Sequence, residues 1–320
     1  MMTISAWSGD LSDQYLKQIV QLGADYIDFG YGDAFPGVKE QGYPDLDALL
    51  KIRRRVRSWG LDINRVTLPD VTERLMKGLP GGEIELENTC NALKVFGEAG
   101  IPIARQRFAG DTFENLTTYY QAVHRGGILT RGESLGLTEH KPATPTAEEL
   151  QDWWTRFLEV YGRLVPIAEE YKVKLAIHPS DTPNIDTPFG GLGFHRVIDA
   201  FPSKQVGFLY CIGTRAEAGG SALVLDELTH YGRKGKIFLC HFRNVRGSLA
   251  TAGGFEEALL DDGDMNMFKF ILALHKVGFS GCINPDHIPI LEGDGSGASL
   301  GLAYSIGYIK AMLAALAGIA

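Results

Sequence analysis

Eight short apolar runs, each followed by a longer stretch of helical periodicity, constrain this 320-residue chain more than any other feature. The runs are ISAW (4–7), DYIDFG (25–30), LDINRVTL (61–68), IPIARQRF (101–108), VKLAIH (173–178), VGFLYCI (206–212), KIFLCHFRN (236–244) and GCINPD (281–286). Between them, segments such as DALLKIRRRVRSWG and DMNMFKFILALHKVG carry apolar residues at i, i+3 and i+4 and stop at glycine. Strands alternating with helices pack as parallel βα units, and eight is the number that closes a barrel. A doubly wound sheet is the alternative, but no GxGxxG follows the first strand and no P-loop occurs. The expected fold is a single (β/α)8 TIM barrel over residues 1–320. Residues 109–146 are too long for a simple connection and form a long loop insertion after the fourth strand, a candidate lid.

Bulk properties narrow the partners. A net charge of −8 argues against nucleic acid or an anionic membrane, yet leaves room for a local cationic pocket that takes a small anion. The start, MMTISAWSGD, lacks the basic and apolar regions of a secretory signal. Cys90, Cys211, Cys240 and Cys282 are too sparse for a disulfide scaffold, so a reduced, cytoplasmic chain is expected. Residues 300–320 are apolar, but Lys310 interrupts them, and a last core-facing helix fits better than a membrane span. A homo-oligomer is left open.

The seventh run, KIFLCHFRN, saves its polar residues for one end. Alternation puts His241 and Arg243 on one face with Ile237 and Leu239, and Phe238, Cys240 and Phe242 on the other. With His241 inward, the phenylalanines meet the helices. The same parity turns His178 and Cys211 inward at the ends of the fifth and sixth strands. The eighth ends in NPDHIP, where Pro285 breaks alternation and leaves open whether Asp286 or His287 faces in. Four consecutive strands thus each deliver one metal-competent side chain at the face where barrel active sites lie: His178, Cys211, His241 and Asp286. Two imidazoles, a thiolate and a carboxylate suit a divalent transition metal such as zinc, iron, cobalt or manganese. Singly, each has a bland reading as a core cysteine, a bonded histidine or a turn residue; it is the common depth that points to a site. Arg243, one step further out, is placed to grip a carboxylate bidentately, or else to pair with an acid such as Asp181. Asn244 is a second substrate-binding candidate, or a tie for a loop backbone.

HPSDTP (178–183), YCIGT (210–214), HFRNV (241–245), FEEALLDDGDMNM (255–267) and PDHIP (285–289) occur in the order and spacing of the mannonate dehydratase family, which the chain resembles as a divergent member. The resemblance, strongest over 172–290, implies a barrel of the xylose-isomerase-like group. It implies a hydro-lyase that converts D-mannonate, or a related aldonate, to 2-keto-3-deoxy-D-gluconate. It also implies Mn²⁺ (with Fe²⁺, Co²⁺ or Zn²⁺ as alternatives) on His178, Cys211, His241 and Asp286, with Arg243 contacting substrate and His287 acting as acid/base. The family's catalytic tyrosine has no match in place, and Tyr304, several residues on, is the candidate. Its ESxPVHE segment is replaced by VTLPDVTE (66–73), and HPDD reads HPSD, with Ser180 in place of an acid. Two other readings stand beside this one. A metal-dependent sugar isomerase or epimerase would draw on several Glu and Asp ligands, and a non-catalytic paralogue would keep its metal as a clamp.

Overall fold

The computed structural model describes residues 1–8, 11–30, 32–110, 117–137, 145–180, 192–294 and 299–319. Strands β1 (Thr3–Ser8), β2 (Tyr26–Phe29), β3 (Asp62–Thr67), β4 (Ile103–Gln106), β7 (Lys174–Ile177), β8 (Val206–Cys211), β9 (Ile237–Phe242) and β12 (Cys282–Pro285) close into a parallel barrel in the order β1-β12-β9-β8-β7-β4-β3-β2. Every barrel strand coincides with one of the eight apolar runs. Helices of the outer layer include α1 (Asp13–Leu22), α3 (Leu46–Ser58), α5 (Gly82–Glu98), α6 (Ala147–Tyr171), α8 (Ile212–Arg233), α10 (Met267–Lys276) and α11 (Ser299–Ile319), with the short α2 (Val38–Gln41), α4 (Glu73–Met76), α7 (Leu192–Ala200) and α9 (Leu249–Ala252) between them. Local signals set their ends. Ser12 caps α1 and left-handed Gly23 ends it, while Thr146 and Glu149 close a reciprocal capping box on α6.

The main core lies between strands and helices, where Phe208, Tyr210, Cys240 and Phe242 pack with Phe157, Phe194, Tyr231 and Phe270. A smaller cluster of Ile103, Ala176, Leu209, Phe238, Leu239 and Cys282 fills the barrel floor. Alternation in β9 therefore departs from the sequence expectation. Phe238 points into the barrel and Ile237 into the helical layer, because the β8/β9 register slips between Phe208 and Leu209. A one-residue bulge flips the side chains before it and leaves those after it, so the inward parity of Leu239 and His241 is kept. Above the floor, the buried carboxylate of Asp28 accepts from Ser5 Oγ at 2.8 Å, from Asn64 Nδ2 at 2.8 Å, and from Asn284.

A second sheet was not foreseen. Within the insertion, β5 (Thr118–Val123) and β6 (Leu129–Ser134) form an antiparallel hairpin. It pairs with β11 (Gly254–Ala258) and β10 (Asn244–Ser248), which continue directly from β9. Parts of the expected lid, 111–116 and 138–144, lie outside the described residues. Helix α11 has the length and apolarity to cross a membrane, but it lays Leu302, Ile306, Ile309, Met312 and Leu316 in the core against α1, α10 and β12. That spacing is the core-facing stripe of a barrel helix, whose outer face is largely alanine and glycine.

Candidate metal centre

His178, Cys211 and His241 stand at the carboxyl ends of three adjacent strands, and one ligand atom from each lies within 4.8 Å of the others. All three are buried. His178 Nδ1–H donates to the Pro179 carbonyl at 2.6 Å, which fixes the tautomer and makes Nε2 the ring's electron-pair donor. Burial, with Arg105 and His241 nearby, holds its pKa well below the usual histidine value, so the ring stays neutral. Cys211 is the N-cap of α8, where its sulfur accepts from the Thr214 amide at 3.4 Å and the Thr214 hydroxyl at 3.2 Å. Burial raises the thiol's pKa, but Arg243 and His241 outweigh it and the net shift is downward, toward the thiolate a metal needs.

The donor set fits a divalent cation on one further observation. Neither ring nitrogen of buried His241 makes a well-formed hydrogen bond, although Asp286 and Cys211 face the ring, and a bound cation would complete the arrangement. Asp286 Oδ2 comes within 3.1 Å of His241 Nδ1 but out of hydrogen-bonding alignment, so this carboxylate borders the trio rather than joining it. Asp286 also lies 3.7 Å from both Arg243 Nε and His287 Nε2. The opposing charges of His241 and His287 overcome burial and keep it ionised.

Three of the remaining candidates are placed differently from expectation. Arg243 does not stand open to solvent. It is 4% exposed, with Nη1 paired to Glu217 and reaching Glu257 Oε1 at 3.5 Å, and Nη2 donating to Thr214 Oγ1 at 2.9 Å. Its partners are Glu217 and Glu257; Asp181 lies outside the described residues. Gly213 makes room for this arginine, since a Cβ there would sit 2.3 Å from Arg243 Cγ. Asn244 spends its side chain on backbone. It donates to the carbonyls of Leu260 and Met265 at 2.9 and 3.0 Å and accepts from the amides of Val245 and Met265. Its capacity is full, and it ties down the 259–265 loop instead of facing substrate. Tyr304 receives a bond from Arg125 Nη2 at 3.5 Å beside the Arg125–Asp261 pair, and no contact links it to the cluster among the described residues.

His287 does reach the site. Its backbone is left-handed (φ 45°), and Nδ1–H donates to Glu257 Oε1 at 2.5 Å. Burial and Arg243 oppose its charge, but Asp286 and Glu257 prevail and push its pKa up to about 9. Glu257, itself held low because His287, Arg243 and Arg131 outweigh its burial, was missed in the sequence although FEEALL was noted. Arg131 of β6 reaches it at 3.6 Å, so the insertion touches this network. Also missed were Arg65 and Arg105. With Trp7, Thr67, Arg107, His241 and Asp286 they line a cavity of about 220 Å³ at the barrel mouth. The available signal was the one that exposed His241, a charged residue at the end of an apolar strand.

Comparison with known proteins bears on the family and the fold. The family model for D-mannonate dehydratase (UxuA) matches residues 140–319. The chain is similar to a mannonate dehydratase of Geobacillus thermodenitrificans (26% identity over 80% of this chain and 79% of that one). It is likewise similar to one of Thermotoga petrophila (24%, over 94% and 93%). In structure it superposes on the mannonate dehydratase of Streptococcus suis serotype 2 with a TM-score of 0.80 at 23% identity, covering 99% of this chain and 96% of that one.

Proposed function

As the chain belongs to the D-mannonate dehydratase family, we propose that it is a metal-dependent hydro-lyase converting D-mannonate or a closely related aldonate to a 2-keto-3-deoxy acid. The observation that carries this reading is the meeting of His178, Cys211 and His241 at the mouth of the barrel. With Asp286 at their edge these residues would hold a divalent cation, Mn²⁺ by family resemblance. Such an ion, when bound, stabilises negative charge developing on the substrate carboxylate and adjacent hydroxyl.

The chemistry requires the C2–H bond to break toward a base and the C3–O bond to break as a proton reaches the departing hydroxyl. The resulting enol then passes its hydroxyl proton to C3 and becomes the ketone, so that one water is lost in all. His287 is the proton carrier in this reading. Glu257 holds its Nδ1, fixes the tautomer and leaves Nε2 to exchange a proton with the substrate. Arg243 neutralises the two buried glutamates on which this arrangement rests and holds the thiolate of Cys211 in a positive field. The insertion 109–146 is read as a lid, its Arg131 meeting Glu257 from above. Four free, buried cysteines are in keeping with a reducing, cytoplasmic setting.

The test is formation of a 2-keto-3-deoxy acid from D-mannonate, read as its semicarbazone. Activity should vanish on chelation and return with Mn²⁺. Isomerised or epimerised sugar with no keto-deoxy acid would replace this reading with the isomerase one.

A further inference from the structure

The family resemblance assigns substrate binding to Arg243, yet that guanidinium is already occupied by Glu217, Glu257 and Thr214. The opposite wall of the mouth shows the reverse. Arg65 is 2% exposed and donates to the neutral Thr67 hydroxyl at 3.0 Å, and among the described residues its buried Nε has no partner. Arg105, half-buried on the next strand, also has a buried Nε with no partner. Neither pairs with an acid among the described residues. The acids nearest in field are committed elsewhere: Asp28 to Ser5, Asn64 and Asn284, and Asp286 to His241 and its neighbours. Two like charges one strand apart, one of them buried with no direct acid partner among the described residues, are costly to fold. Such an arrangement persists when a ligand supplies the missing charge, as strain elsewhere persists at functional sites.

We propose that Arg65 and Arg105 form the anion subsite of this cavity and grip the carboxylate of an open-chain sugar acid, whose carbons then extend toward His241 and Asp286. Two planar forks on adjacent strands match the paired oxygens of a carboxylate. A cavity of about 220 Å³ limits the ligand to a small molecule. Arg107 at the rim already has Asp70 at 3.8 Å, so it adds little charge for a larger anion such as a phosphate. This inference rests on the dehydratase reading for the identity of the acid, but the pair of arginines stands on its own geometry.

The experiment measures binding of D-mannonate, its neutral counterpart D-mannitol and a hexose 6-phosphate to Mn²⁺-loaded protein by calorimetry, beside turnover of D-mannonate. Wild type should bind the acid and leave mannitol unbound. Arg105→Gln should weaken D-mannonate about 10- to 100-fold, through KM more than kcat, with metal still at one per chain. Arg65→Met should weaken it likewise while Tm holds or rises, because an uncompensated buried charge is gone; a merely structural arginine would lower Tm. Unchanged affinity in both variants, equal binding of mannitol, or tighter binding of the phosphate each overturns the proposal. If D-mannonate binds through both arginines but yields no keto acid, the dehydratase reading fails and the subsite stands. If keto acid forms with KM unmoved in both variants, the reading stands and the subsite fails.

Discussion

The two sides of the barrel mouth treat arginine in opposite ways. On the β8–β9 side, Arg243 is enclosed by Glu217, Glu257 and Thr214, and each contact fixes something else: a thiolate, a glutamate, the ring of His287. On the β3–β4 side, neither Arg65 nor Arg105 makes an ion pair with an acid among the described residues, and Asp28 and Asp286 act on Arg65 only through their field. Burial is similar for Arg243 and Arg65, at 4% and 2% exposed, so burial alone does not separate them. Compensation does. A guanidinium whose charge is answered within the fold is part of the scaffold, and one whose charge is left unanswered is waiting for a ligand.

Removing the metal ligands should break the comparison most completely, since both sides then face no cation. Cys211→Ala or His241→Ala should abolish metal content and lower turnover by about 10³-fold or more. Metal retained at one per chain, measured by plasma emission, would take that residue out of the ligand set. Next in size, Arg243→Met should cost about 3–5 kcal/mol in denaturant unfolding by stranding Glu217, and the double variant with Glu217→Met should recover most of it. An unchanged midpoint for the single variant would show that Arg243 is not the structural partner. This is the opposite sign from Arg65→Met, and the pair of measurements sharpens the contrast directly.

Asn244→Ala should cost about 1–3 kcal/mol of stability while KM for D-mannonate stays put, because its bonds end on backbone of the 259–265 loop. A raised KM at unchanged stability would return Asn244 to the substrate. The smallest effect belongs to a third kind of arginine. Arg53 makes a two-pronged pair with Asp62 at 2.8 and 2.9 Å near the surface. Burial raises the Asp62 pKa, but Arg53 and the Ile63 amide outweigh it and the carboxyl is held below its ordinary value. Its contribution is therefore complete above the ordinary carboxylate range and lost as pH falls through the lowered value. Solvent screening keeps it under about 1 kcal/mol. Asp62→Asn should flatten that acid limb, and an unaltered pH–stability curve would remove the pair from the balance.

Much of this was legible in the chain because it depends on period. Eight apolar runs gave eight strands, and two-residue alternation turned His178, Cys211 and His241 inward. Parity failed where the register slips. The bulge at Phe238 depends on a neighbouring strand, and nothing in KIFLCHFRN announces it. The second sheet was hidden for a related reason. Leu129–Ser134 pairs with Gly254–Ala258 more than a hundred residues away, and such pairing leaves no local trace. Arg243 was misread because its partners, Glu217 on α8 and Glu257 on β11, come from elements whose approach only the fold decides. Arg65 and Arg105 were readable by the logic applied to His241, as charges closing the apolar strands DINRVT and IARQ, but no family motif drew attention to them.

Anomalous diffraction from crystals grown with Mn²⁺ tests the metal centre most directly. One peak within about 2.5 Å of Cys211 Sγ, His178 Nε2 and a ring nitrogen of His241 is the expected result. A protein that turns over D-mannonate in Mn²⁺ while its peak lies away from these three side chains would contradict it.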